Sequence, residues 1–403
     1  MTRSALVAAV AVTVGLGTGL LLMSGLVGDP AISDTPVYER YGERVASGDM
    51  PYRDFAVEYP PGALIPFVLP ALISSTSDRF ETAFEVLMTV FLAAICGLIV
   101  IALQALRAPP GRIALSVGAF VLGATLLGPF ILTRFDLYAA TLTLAAMCAI
   151  LQRRLTLGPI LLGLAIATKI YPAVLVPLVA TRAWKRDGPV AALRTVALTI
   201  GATLVVYLPF ALVAPEGVAR SVWRQLGRPL QIESLGSSVL LALHNAAGMP
   251  LGWASGSGSQ NLTGSVAGAA SGITTVVGVA ALVLVWVRYG RGNTELEARF
   301  TRYAAAAAVA FVAFGKVLSP QFLVWLLAIV VIVPDRRGLY ASVLLVLACL
   351  LTRLWFPRTY WELVKSFDPT SSWLVLCRDV VLVALFLTLI FRSRLTARGR
   401  APA

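Results

Sequence analysis

Apolar residues along this chain gather in blocks instead of alternating with polar ones. Eight blocks, at 5–27, 84–105, 113–132, 137–151, 190–214, 266–287, 338–355 and 373–391, approach or exceed the roughly 20 residues a helix needs to cross a bilayer. Two further runs are split: 155–168 from 170–180 by Thr168-Lys169-Ile170-Tyr171-Pro172, and 303–315 from 322–333 by Gly315-Lys316-Val317-Leu318-Ser319-Pro320-Gln321. Each split run predicts two short helices meeting at one membrane face, for about 12 crossings in all. Residues 63–73 and 238–252 are apolar but short, and are expected to lie in or dip into the interface. The first block is longer than the ~7–15 residues of a signal-peptide core, so an uncleaved first helix is expected. Trp253–Gly264, Ser/Gly-rich after its first residue, reads as a flexible connection. No internal repeat is visible.

Composition narrows the class. Of 403 residues, 58% are hydrophobic and only 13% charged. A soluble domain of this size cannot hide so much apolar surface, and a disordered chain needs the opposite balance. The expectation is an all-α polytopic integral membrane protein, one domain over 1–403. Cys96, Cys148, Cys349 and Cys377 each lie in an apolar run, away from His244, the only histidine, so Cys/His metal ligation is not expected.

The net charge of +13 tests the threading. With a cytoplasmic amino terminus and strict alternation, 19 Lys/Arg and 4 acids fall inside, against 14 and 16 outside. This asymmetry follows the positive-inside rule and puts both termini in the cytoplasm of a multi-pass protein of the plasma (inner) membrane. The count includes Arg392, Arg394, Arg398 and Arg400. The longest outer loop, about residues 28–84, is acidic and rich in Tyr and Pro, which predicts an ordered loop. No phosphate-cradling Gly-rich loop appears on either side, and no basic, aromatic-interleaved region suggests nucleic acid.

The candidate chemistry lies on the outer face. Asp34 sits just past the first span, and Asp54 and Glu58 follow in Pro51-Tyr52-Arg53-Asp54-Phe55-Ala56-Val57-Glu58-Tyr59-Pro60-Pro61-Gly62. A carboxylate at the membrane edge can deprotonate a hydroxyl held about 3 Å away. Helix capping is the plain alternative, and for Asp136, at a helix start, the neighbouring Arg134 is the plain partner. Arg220, Arg224 and Arg228 break the positive-inside pattern; if helical, they share one face and suit a phosphate or diphosphate. Headgroups, Glu216 or Glu233 are their other candidate partners. Lys169 and Lys316 interrupt apolar runs and are expected to face a polar cavity, or else to snorkel. His244 is a structural residue or a base.

Together these segments resemble the GT-C superfamily of membrane glycosyltransferases, and within it glycosyltransferase family 87, polyprenol-phosphate-mannose-dependent mannosyltransferases. The resemblance rests on Ser33-Asp34-x-x-x-Tyr38, on the Gly48–Gly62 run containing Asp54, Glu58 and Tyr59, and on Arg134-Phe135-Asp136. It rests also on Lys169-Ile170-Tyr171-Pro172 and the Gly315–Gln321 break. It implies a GT-C-like bundle with Asp34 as the base of an inverting transfer and the other segments, including Tyr59, Tyr171 and Gln321, lining the substrate site. It implies a polyprenyl-phosphate sugar donor, mannose favoured over a pentose such as arabinose, and a glycolipid or glycan acceptor. Some superfamily members use a divalent cation with paired acids; Asp34 follows Ser33, so no cofactor is expected. A secondary transporter and a lipid flippase or assembly partner are the alternatives.

Overall fold

The computed structural model describes residues 3–29 and 32–391; Arg392, Arg394, Arg398 and Arg400, counted above as inside charges, lie outside the described residues. The fold is 75% helical. Helix α1 (Arg3–Met23) leads into a loop holding α2 (Thr35–Ala46), then a 3-10 turn at Pro61–Leu64 that runs into α3 (Ile65–Ala71). Next come α4 (Ser77–Ala105), α5 (Pro110–Leu127), a 3-10 turn at Pro129–Thr133, and α6 (Asp136–Leu151). α4 starts seven residues before the apolar block does, because Thr76 caps it through Arg79 N–H and its first turns carry charge.

The first split run forms α7 (Leu157–Thr168), a 3-10 turn at Tyr171–Leu175 and α8 (Val176–Asp187). After α9 (Pro189–Val213) come α10 (Pro215–Leu226), α11 (Leu235–Ala247), strands β1 (Gly252–Gly256) and β2 (Ser259–Thr263), and α12 (Ser265–Gly290). The second split run gives α13 (Glu297–Ala313) and α14 (Phe322–Val330), followed by α15 (Arg336–Trp355), α16 (Tyr360–Ser366) and α17 (Pro369–Ile390). Among the described residues, α1, α4, α5, α9, α12, α15 and α17 are long and apolar enough to cross a membrane, seven in all.

Packing assigns the layers. Every residue of α14 is buried, and α5, α6, α13 and α15 surround it. In α13 an Ala304–Ala308 run lets backbones approach closely. By contrast α9 buries only Ala192, Thr195 and Thr199, so its remaining apolar surface faces outward as lipid-exposed surface does. Gly15 and Gly19 press α1 against α4: a Cβ at Gly15 would come within 2.6 Å of Ala93 Cα, and one at Gly19 within 2.3 Å of Thr89 Cγ2.

Residues 253–264 are not a flexible connection. They form an antiparallel hairpin with Trp253 opposite Leu262 and Ala254 opposite Asn261. Ser257 and Gly258 both take positive φ, as a tight two-residue hairpin turn demands. β2 also binds the chain at 230–232: Ile232 N–H donates to Gln260 O and Leu262 N–H to Leu230 O, both at 3.0 Å. Small polar residues hid these strands, since their stability comes from backbone pairing and not from an apolar stripe.

Candidate active site

Asp34 precedes the first turn of α2, and its carbonyl accepts from Val37 N–H at 2.9 Å. Its carboxylate does not cap the helix. That task passes in part to Ser33, whose hydroxyl accepts from Thr35 N–H at 3.1 Å. The Asp34 carboxylate turns instead to the Arg134 guanidinium, forming an ion pair, and receives Tyr38 Oη at 3.4 Å. The side chain remains 32% exposed, whereas that of Arg134 is 7% exposed.

Arg134 is thus not the partner of Asp136. It leaves the Pro129–Thr133 turn in extended conformation and makes its ion pair with Asp34, while Asp136 makes its own with Lys169. Burial draws the Arg134 guanidinium down to about 10, while Asp136, Glu233 and Tyr360 pull the other way. Its Nε is buried without a partner among the described residues.

Asp136 starts α6 and is 1% exposed. Its Oδ1 takes Lys169 Nζ at 2.6 Å and Trp325 Nε1 at 2.7 Å, and Oδ2 has no partner among the described residues. Lys169 sits in the break after α7, with Nζ 4.3 Å from the Phe135 ring centroid and 4.9 Å from that of Trp325. Its charge is therefore met by a carboxylate and aromatic faces instead of an open polar cavity. Tyr171 stacks on Trp325 with centroids 4.2 Å apart and hydrogen-bonds Thr143 Oγ1 at 2.8 Å.

Aromatic rings link this pair to the Asp34 loop. Tyr59 meets Phe135 edge-on at 5.0 Å and Tyr38 at 5.8 Å, and Tyr38 stacks on Phe67 at 4.3 Å. Burial raises the Tyr59 hydroxyl, with Glu58 adding to the shift. The Glu58 carbonyl accepts Gln225 Nε2 of α10 at 2.8 Å. Burial lowers the Arg228 guanidinium against the pull of Tyr59, Glu58 and Glu233, and its Nε too is buried with no partner among the described residues.

The three arginines do not share one helical face. α10 ends at Leu226, where Lys316 Nζ donates to the Leu226 carbonyl at 3.0 Å, so Arg228 lies off the helix. Lys316 therefore closes a helix end. Arg220 and Arg224 stand exposed on α10, with no hydrogen-bond or ion partner among the described residues. Val218 and Ser221 are the buried residues of α10, Gly217 lies against the Tyr52 carbonyl, and Trp223 is exposed. Gln321 sits at the start of α14 and accepts from Ser319 Oγ at 2.5 Å.

Two candidates are tied down locally. Asp54 is held by Arg53 through contacts of 2.8 and 2.9 Å and by Met50 N–H at 2.7 Å; Arg53 first, then Met50, lowers it to about 2. His244 closes α11, with Nδ1 2.6 Å from Met249 O and its ring edge-on to Phe367.

Sequence reasoning gave Glu233 only a place among possible arginine partners, and passed over Arg378 and Asp379. Glu233 is 1% exposed and accepts the Gln231 side-chain amide, while Arg378 Nη2 donates to its backbone carbonyl at 2.5 Å. Burial pushes its carboxyl up to about 7, against Arg378, Arg134 and Arg228. Arg378 Nε also lies 2.7 Å from Asp379 Oδ1. Two adjacent charges inside the apolar α17 were a readable signal for this layer.

The donor groups around Asp34 are Ser33, Tyr38 and a guanidinium. Among the described residues no group of three or more His, Cys, Asp or Glu could hold a metal ion.

A multi-pass helical membrane protein with charged side chains buried at one end of its bundle is the class these features define. Residues 57–320 match the family model of glycosyltransferase family 87, and the chain belongs to that family; it is a membrane glycosyltransferase. A search of the curated proteins found no match. The matched stretch holds Glu58, Tyr59, Asp136, Lys169, Arg228 and Lys316, and leaves Asp34 and Asp54 before it.

Proposed function

We propose that this protein transfers a sugar, mannose favoured, from a polyprenyl-phosphate donor to a glycolipid or glycan acceptor, with inversion, at the extracytoplasmic face. Asp34 takes the proton of the acceptor hydroxyl. The freed oxygen attacks the anomeric carbon, whose bond to phosphate breaks, and polyprenyl phosphate leaves with that electron pair. Arg134 and Tyr38 aim the carboxylate, and its exposed part is what the acceptor hydroxyl meets. Arg228, whose buried Nε has no partner among the described residues and whose charge is felt by Glu58 and Tyr59, is the cation on which the departing phosphate can settle. A preorganised cation at the leaving group assists most where water is excluded.

The observation that carries this reading is the Asp34 carboxylate itself: at a helix-capping position, not capping, and held partly exposed by a buried arginine. The test is Asp34→Asn in proteoliposomes supplied with a panel of polyprenyl-phosphate sugars and analysed by product mass. A general base contributes about 10²–10⁴-fold, so kcat should fall by at least 10² while the donor KM holds. Turnover at the unaltered rate would remove Asp34 as the base.

A further inference from the structure

The opposite end of the bundle carries a second basic cluster. α6 begins at Asp136, so its 16 residues place Arg153 and Arg154 roughly 24 Å from the buried pair. The helix closes there by backbone contacts, with Arg154 N–H donating to Ala149 O at 2.9 Å and Arg153 at a φ of +61°. Neither guanidinium has a hydrogen-bond or ion partner among the described residues. Both line a recess between α6, α7, α8 and α9 whose apolar lining includes Ile150, Leu155, Pro159 and Val179.

Arg182 and Arg186 of α8 complete the recess, together with Asp187. Arg182 is already engaged: Nη1 donates to Thr294 O at 3.1 Å and Nη2 to Glu297 Oε2 at 2.5 Å. Arg186 reaches the other oxygen of the same carboxylate only at 3.7 Å. Around the recess four arginines thus answer to two carboxylates, and Arg153 and Arg154 pair with neither. Trp184, Val190 and Leu193 stand exposed on the same helix ends. Exposed tryptophan beside aliphatic and basic residues is the pattern of a headgroup layer.

We propose that this recess binds the phosphate of an anionic phospholipid. Arg153 and Arg154 grip the phosphodiester oxygens, which guanidinium does in a fork, and the apolar lining meets the glycerol and first acyl carbons. Free phosphate would gain nothing from that apolar lining. A zwitterionic headgroup brings its own cation and leaves the arginine excess unanswered.

The full-length protein in neutral detergent is incubated with phosphatidylglycerol, phosphatidylcholine, or phosphatidylglycerol plus inorganic phosphate, and retained lipid is counted by native mass spectrometry. Phosphatidylglycerol should be retained about tenfold better than phosphatidylcholine, and R153Q/R154Q should lose about that factor. Inorganic phosphate should not displace the lipid, and the melting temperature of R153Q/R154Q in phosphatidylcholine should match that of the unaltered protein. Equal retention of the two lipids by the unaltered protein, which needs no variant, overturns the site. So does undiminished phosphatidylglycerol retention in R153Q/R154Q. Displacement by inorganic phosphate overturns the lipid in favour of a soluble anion.

Discussion

Asp34 occupies a position from which an aspartate ordinarily folds back onto its own helix. Here a buried arginine draws it away, and the same local economy governs the rest of the layer. Asp136 and Lys169 neutralise each other at 2.6 Å in a place where neither charge could stand alone. Lys169→Met should therefore cost about 3–5 kcal/mol, because it leaves Asp136 buried and uncompensated. Asp136→Asn combined with Lys169→Met should recover most of that loss in a double-mutant cycle read by thermal unfolding. Additive losses would show that the two charges are not coupled. Glu233 gives a pH signature. Its folded carboxyl sits near 7 against an ordinary value of 4.5, so the folded state favours the neutral form. That contribution is fully present below about 4.5 and is lost as pH rises towards 7. Glu233→Gln should match the unaltered protein in acid and exceed it in stability by a few kcal/mol at pH 8. Denaturant unfolding in detergent at the two pH values measures the gap; a gap that narrows with rising pH would mean an ionised, well-paired Glu233.

Among the elements, α1 matters because the Asp34 loop hangs from its end. Its glycines are not equivalent. A Cβ at Gly15 would strike the backbone of Ala93, whereas one at Gly17 would meet nothing within 4 Å. Gly15→Ala should destabilise by about 1–3 kcal/mol through forced separation of α1 and α4. Gly17→Ala should be neutral or slightly stabilising, since alanine favours the helix. Equal melting temperatures for the two variants would mean that α1 and α4 do not pack through this seam. The broken helices belong to the same scale. The polar insertions at Lys169 and Lys316 interrupt helices, but each lysine then meets a different need: one a carboxylate, the other the carbonyl at the end of α10.

For the whole molecule, the proposed chemistry requires residues 28–62 outside the cytoplasm. Ser47, exposed just after α2, offers a probe site. Ser47→Cys on a Cys377→Ser background should react with a membrane-impermeant maleimide added to intact cells, Cys96, Cys148 and Cys349 being buried. Labelling only after the cells are opened would end the extracytoplasmic reading. The sequence alone determined the class and most helix positions. Hydrophobic blocks and interrupting lysines are local features, and partition into a bilayer depends on each segment's own composition. It could not determine the pairings. Asp34 meets Arg134 across a hundred residues, Asp136 meets Lys169 and Trp325, and Arg228 leaves the helix of Arg220 and Arg224. The hairpin at 252–263, whose strands are held by backbone bonds to each other and to residues 230–232, was likewise invisible. Each of these outcomes depends on where turns bring distant segments together, and burial then makes every unpaired charge costly enough to select one partner.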